Sequence, residues 1–187
     1  MYKGLYDSFA EHWCREGSTI WLYSDPHFGD EEMKYIRKNY IGDEEQIKRI
    51  NSKVGKNDVI IFLGDIGNLE YVKHIRGYKV CIVGNHDTGL TKYSQYFNEV
   101  YESALIIGPK IILSHEPIQN FPFAVNIHGH DHSNWECNDN MHINVCAEHI
   151  NYTPVNFFQL IKQGVFKPAV DIHRYTIDNA IKRKSDK

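Results

Sequence analysis

An α/β fold is the first expectation for this chain, and three observations carry it. Short apolar runs alternate with helix-periodic segments through the first half. Apolar runs then dominate the second half, so an α/β pattern gives way to a β-rich portion. Most of the runs end in polar or glycine-containing corners, as strands do.

The elements follow in order. Thr19–Tyr23, Val59–Leu63 and Lys79–Val83 read as strands, as do Ala104–Ile107, Ile111–Leu113, Val125–Ile127 and His142–Cys146. Pro109 and Lys110 separate two apolar runs and read as a hairpin turn. Met33, Ile36 and Tyr40 share one helical face that Gly42 closes. Asp43 with Gln46 three residues later resembles a capping box, ahead of Ile47, Ile50 and Val54, with Gly55 as the stop. Asn68 opens a helix through Leu69, Val72 and Ile75 that Gly77 ends, and a short helix is expected near Thr91–Phe97. After Pro154, Asn156–Lys162 reads as a helix. The segment 177–187 carries Lys182, Arg183, Lys184 and Lys187 and reads as a helix ending in a solvated basic tail, with a nucleic-acid contact as the alternative.

Composition narrows the class. With 187 residues and no linker-like stretch, one domain over 1–187 is expected, its core at about 19–160. At 42% hydrophobic and 24% charged, disorder, collagen and coiled coil are excluded as whole-chain readings. A net charge of −3 argues against a generally basic nucleic-acid binder. The N-terminus lacks an apolar signal core and no run approaches a membrane span. Cys14, Cys81, Cys137 and Cys146 form no CxxC pair, and the expectation is a reduced, cytoplasmic protein. The unusual count is 11 His, of which His115, His128, His130, His132, His142 and His149 crowd one short stretch.

The chemistry lies at the strand ends. The runs end in Ser24-Asp25-Pro26-His27, Gly64-Asp65, Gly84-Asn85-His86-Asp87, Ser114-His115-Glu116-Pro117 and His128-Gly129-His130-Asp131-His132. Open α/β sheets place ligands at the carboxyl ends of their strands, so these corners should converge on one edge. Asp25, His27, Asp65, Asn85, His115, His130 and His132 then offer more ligands than one metal takes, and suit two ions sharing a bridge. Oxygen and imidazole without thiolate favour Mn²⁺, Fe or Zn²⁺ in an open catalytic site, with Co²⁺ or Ni²⁺ also accepted. Two divalent ions against two aspartates and a bridging hydroxide leave about +1, which suits a phosphoester anion.

Asp-x-His, Gly-Asp, Gly-Asn-His-Asp, a lone His and Gly-His-x-His, in this order, resemble the calcineurin-like metallophosphoesterase superfamily, and most nearly its short stand-alone microbial members. The resemblance covers roughly Thr19 to Leu160. It implies a four-layer α/β/β/α sandwich of two facing mixed sheets flanked by helices. It implies Asp25, His27 and His132 on a first metal, Asn85, His115 and His130 on a second, and Asp65 between them. It implies attack on phosphorus by a hydroxide bridging the metals, with His86 stabilising the phosphoryl group or protonating the leaving oxygen and Asp87 orienting the His86 ring. Gly84 and Gly129 would allow tight corners. Ligand histidines need partners on their far nitrogens, and Glu116 or Asp131 could serve. Relatives often place a His where this chain has Asp30, which bears on the rim and not on the metal set.

Other residues take the plainer reading. His128 is structural or a partner of a ligand. His12, His74, His142, His149 and His173 are structural, and Phe121, Phe123 and Tyr152 are packing residues. The short segment 116–127 leaves no room for a capping domain, so a shallow site for small or exposed phosphoesters is expected. Phosphodiester hydrolysis is slightly favoured because an alkoxide leaving group needs the His86 proton. Phosphomonoester hydrolysis is the alternative, and a non-catalytic protein-binding scaffold a lesser one. Nucleic acid as a partner has only the basic tail behind it.

Overall fold

A computed structural model describes residues 13–37, 39–133, 139–170, 179 and 181–182. The strands are β1 (Ile20–Tyr23), β2 (Val59–Phe62), β3 (Tyr78–Ile82), β4 (Glu99–Tyr101), β5 (Leu105–Gly108), β6 (Ile111–Leu113), β7 (Val125–His128), β8 (His142–Asn144) and β9 (Val155–Asn156). The α-helices are α1 (Met33–Ile36), α2 (Asp43–Lys53) and α3 (Phe157–Gln163). Two mixed sheets form, ordered β4-β3-β2-β1-β9 and β5-β6-β7-β8. In the first, β1 to β4 are parallel and β9 runs antiparallel to β1. In the second, β6 to β8 are parallel and β5 returns antiparallel on β6 through the expected turn at Pro109.

The side chains explain the layering. One apolar cluster joins Ile20, Leu22, Val59, Ile61 and Val80 of the first sheet to Leu105, Leu113 and Ile127 of the second, so the two sheets share a core. The alternate residues Tyr23, Ile60, Phe62 and Cys81 face a second cluster with Ile50 of α2, Val54 just past its end and Val72 of the 69–74 segment. The central strands of the first sheet are therefore buried on both faces, and their apolar runs are unbroken. In β7 and β8 only one set of alternate residues reaches the shared core, and Asn126, His128, His142 and Asn144 occupy the other. The expected 177–187 helix lies outside the described residues except for 179 and 181–182, which are helical.

Several elements depart from expectation. The 68–77 and 91–97 segments are 3-10 helices, Leu69–His74 and Leu90–Gln95. Both are short connections between strands, where a tighter helix is common. The helix expected through Tyr40 stops after Ile36, because Arg37 turns extended and buries its guanidinium. The capping box does not form. Gly42 at φ 78° is the N-cap of α2, Asp43 accepts from the Gly29 N–H, and buried Gln46 accepts from the Tyr23 hydroxyl. Strands β4 and β9 were not expected, being three and two residues long. No helix among the described residues is long and apolar enough to cross a membrane.

Candidate metal centre

The strand-end corners meet where the carboxyl ends of the two sheets adjoin. Ser24, just past β1, pairs with Cys146, just past β8, and this bridge draws the two edges together. Asp25 and His27 follow β1, Asp65 follows β2, Asn85 and His86 follow β3, His115 follows β6, and His130 and His132 follow β7. Asp25, His27 and His132 form one group of possible ligands and Asp65, His115 and His130 another, with the ligand atoms of each group within 4.8 Å of one another. Asn85 joins the second group, its Oδ1 lying 2.8 Å from His115 Nε2 and 3.0 Å from His130 Nδ1.

Asp65 lies between the groups. Its Oδ2 is 3.5 Å from His27 Nε2 and 3.5 Å from His115 Nε2. Its Oδ1 accepts from the His86 N–H at 2.9 Å, which fixes the rotation of the carboxylate. Asp25 is held in the same manner. Its Oδ2 accepts from the His130 N–H at 2.9 Å and lies 2.5 Å from the Ser24 hydroxyl and 3.2 Å from the Cys146 thiol. Its Oδ1 is left 3.5 Å from His132 Nε2 and 4.0 Å from His27 Nε2. Burial pushes the Cys146 thiol well up, and its sulfur donates to Asp25.

The backbone carries strain at the same places. Asp25, His27, Asp65 and His130 have φ of 54°, 46°, 51° and 67°. Left-handed backbone at a non-glycine residue costs on the order of 1 kcal/mol or more, and such residues gather at functional sites. Gly64, at φ 95°, begins the Asp65 corner, and a Cβ there would strike His115. Gly84 and Gly129 were expected to relax tight corners, yet neither has a positive φ. Their role is close approach, since a Cβ would collide with Asp65 at Gly84 and with Ser24 and Asp25 at Gly129.

The donor set fits divalent cations. Asp25 Oδ1 and His27 Nε2 are buried with no hydrogen-bond partner among the described residues. An unpaired carboxylate oxygen is costly to bury, and a bound cation satisfies it. Separations near 3.5 Å are too long for hydrogen bonds but suit neighbouring ligands on one ion with bonds of about 2.0–2.2 Å. Burial, then the Arg37 charge, push His27 down, outweighing Asp25 and Asp65, and a neutral imidazole is the form that binds metal. Burial would lower His132 too, but its bond to Glu148, the Glu148 charge and Asp25 outweigh this and raise it. Burial would raise Glu148, but His132 and Arg37 outweigh that and lower it.

The far nitrogens correct two expectations. Glu116 and Asp131 do not back the ligand histidines. The Asp131 carboxylate accepts from Ser133, and the Glu116 carbonyl accepts from the Ser114 hydroxyl. Instead His115 Nδ1 meets the Leu63 carbonyl at 2.7 Å and His132 Nδ1 meets Glu148 Oε1 at 2.5 Å. Asp30 Oδ2 stands 3.9 Å from His27 Nδ1. Nothing in the sequence pattern marked Glu148 or Arg37, since neither lies in a strand-end motif.

His86 is exposed, with its ring 5.6 Å from that of His27. The carboxylate of Asp87 is engaged elsewhere than on that ring. Its Oδ2 accepts from the N–H groups of Asp65 and Gly84, and its Oδ1 from the Ile66 N–H and the Tyr93 hydroxyl. Asp87 thus braces the Asp65 and Asn85 corners against each other. His128 is buried, with Nδ1 2.8 Å from the Gly129 carbonyl. His142 bridges Asp139 and the Ile118 carbonyl, and His149 meets the Asp131 carbonyl. His12 and His173 lie outside the described residues.

No family model matches the chain, and no curated protein matches it. Among solved structures, it is similar to protein AQ665 of Aquifex aeolicus, whose function is unknown. The identity is 24%, with 79% of this chain and 100% of that chain covered at a TM-score of 0.67. It is also similar to nuclease MPE of Pseudomonas putida at 24% identity, with 60% of this chain and 61% of that chain covered and a TM-score of 0.46. The likeness to the Aquifex protein is one of fold. What the chain itself presents is an α/β scaffold of two mixed sheets with two candidate metal-binding groups at their common edge.

Proposed function

We propose that this chain is a metal-dependent phosphoesterase of the calcineurin-like kind, with phosphodiesters slightly favoured over phosphomonoesters. The observation that carries the reading is Asp65, whose Oδ2 stands at 3.5 Å from a histidine of each candidate group. On this reading Asp25, His27 and His132 hold one divalent cation, Asn85, His115 and His130 hold another, and Asp65 serves both. Mn²⁺ is the preferred ion, with Fe, Zn²⁺, Co²⁺ and Ni²⁺ acceptable to the same donors. When bound, such ions acidify water and draw charge from phosphoryl oxygens.

The chain's own groups do the rest. Asn85 contributes a neutral oxygen where a third carboxylate would cancel the positive charge that attracts a phosphate. Exposed Asn85, His86 and His130 leave one side of the site open to solvent, which supports a small or exposed phosphoester as substrate. His86, beside His27 and facing solvent, is the residue to donate a proton to a departing alkoxide. Asp87 keeps the Asp65 and Asn85 corners in register and acts through them.

The test is hydrolysis of bis-p-nitrophenyl phosphate beside p-nitrophenyl phosphate, on metal-stripped protein with Mn²⁺ restored. Turnover of the diester above the monoester is expected. The reverse order would make the enzyme a phosphomonoesterase. No turnover of either, with metal bound, would contradict catalysis and leave a binding scaffold.

A further inference from the structure

Arg37 is a buried guanidinium that neither the fold nor the ligand set explains. Its side chain is 1% exposed, and it lies 3.4 Å through Nε from Glu148 Oε2. Its Nη2 donates to the Asp25 carbonyl at 2.6 Å. Yet Arg37 Nε, Arg37 Nη1 and Glu148 Oε2 have no hydrogen-bond partner among the described residues, so the ion pair lacks the geometry of a good one. A buried pair of this kind is a poor source of stability, because desolvation of both charges offsets the attraction. The other oxygen of Glu148 is 2.5 Å from His132 Nδ1. One connected set therefore runs from the Asp25 backbone through Arg37 and Glu148 to His132, and both its ends are candidate ligands of the same group.

Among the described residues the second group has no such backing. The far nitrogen of His115 rests on the neutral Leu63 carbonyl, and Asn85 is neutral as well. A carboxylate behind a ligating imidazole fixes its tautomer and makes the metal-facing nitrogen more basic, whereas a carbonyl does so more weakly. From this difference we infer that Arg37 and Glu148 are positioning residues for His132. They hold its proton on Nδ1, present Nε2 beside Asp25, and strengthen the Asp25–His27–His132 site without acting on its neighbour. The two sites then bind the same ion unequally, and Glu148 sets much of the difference. The inference rests on the reading of both groups as cation sites.

The test is a stepwise titration of metal-free protein with Zn²⁺ against a competing chelator, parent beside Glu148→Gln, with Asp58→Asn as a variant remote from the site. In Glu148→Gln one binding constant is expected to weaken by about 10–100-fold while the other holds. Asp58→Asn should change neither. Equal weakening of both constants in Glu148→Gln, or no change in either, would overturn the inference. A parent chain that binds no Zn²⁺ would remove the metal reading itself, a separate failure. Should Glu148→Gln not fold, the Zn²⁺-loaded parent still decides through its histidine ¹⁵N–¹H spectrum. A protected, hydrogen-bonded Nδ1–H on His132 is expected. Zn²⁺ on Nδ1, or an Nδ1–H exchanging freely with solvent, would contradict the proposal.

Discussion

Asp65 and Asp87 divide between them the work that the Gly-Asp and Gly-Asn-His-Asp corners suggested. Asp65 offers one oxygen to both candidate groups, and Asp87 fastens the backbone that carries it. Removing the Asp87 side chain leaves three backbone N–H groups and the Tyr93 hydroxyl without their acceptor. Each unsatisfied buried donor costs about 1–3 kcal/mol, so Asp87→Ala should lower the denaturation midpoint well beyond an ordinary surface change. His86→Ala, at an exposed position, should leave that midpoint nearly unmoved while slowing hydrolysis of diesters with poor leaving groups most. Equal slowing across a leaving-group series would contradict the proton-donor role. The candidate ligands were legible because each follows a strand in a compact motif. Arg37 and Glu148 were not, because their meaning arises only when distant segments meet.

At the level of elements, one carboxylate ties several starts together. Asp58, just before β2, accepts from the Thr19 N–H ahead of β1, the Trp21 indole and the Gly55 N–H after α2. Burial would raise its carboxyl, but these three donors outweigh it and hold it below its ordinary value of 3.8. A carboxyl depressed in the folded state stabilises above its unfolded value, and that contribution is lost as pH falls through the folded one. Asp58→Asn should therefore cost about 1–3 kcal/mol at neutral pH. The gap from the parent should close as pH drops below 3.8 in urea melts, and a gap independent of pH would contradict this. The strands of the first sheet were legible as unbroken apolar runs because both their faces are buried. The 3-10 segments were not distinguishable from α-helix. Leu69, Val72 and Ile75 recur every third residue, which a three-residue turn satisfies as well as one face of an α-helix. α1 ended early because burying Arg37 overrode a local periodicity.

Across the whole molecule, parallel strands in two sheets send their carboxyl ends to one edge, and a shared apolar core fixes the edges against each other. That arrangement gathers two buried carboxylates and several imidazoles at one place, with left-handed backbone at Asp25, His27, Asp65 and His130. Cations that bind only the folded state should lower the cost of this assembly, by about 2.7 kcal/mol at a hundredfold excess over the dissociation constant. Mn²⁺ should accordingly raise the melting temperature and a chelator lower it, in differential scanning fluorimetry. A melting temperature indifferent to both would count against a cation site.

The most direct measurement is the number of Mn²⁺ ions held per chain after equilibrium dialysis, for the parent and for Asp65→Ala. The expected result is two ions in the parent and a marked loss from both sites in Asp65→Ala, because one carboxylate serves both groups. Fewer than one ion in the parent, or two ions held equally well without the Asp65 carboxylate, would contradict the account.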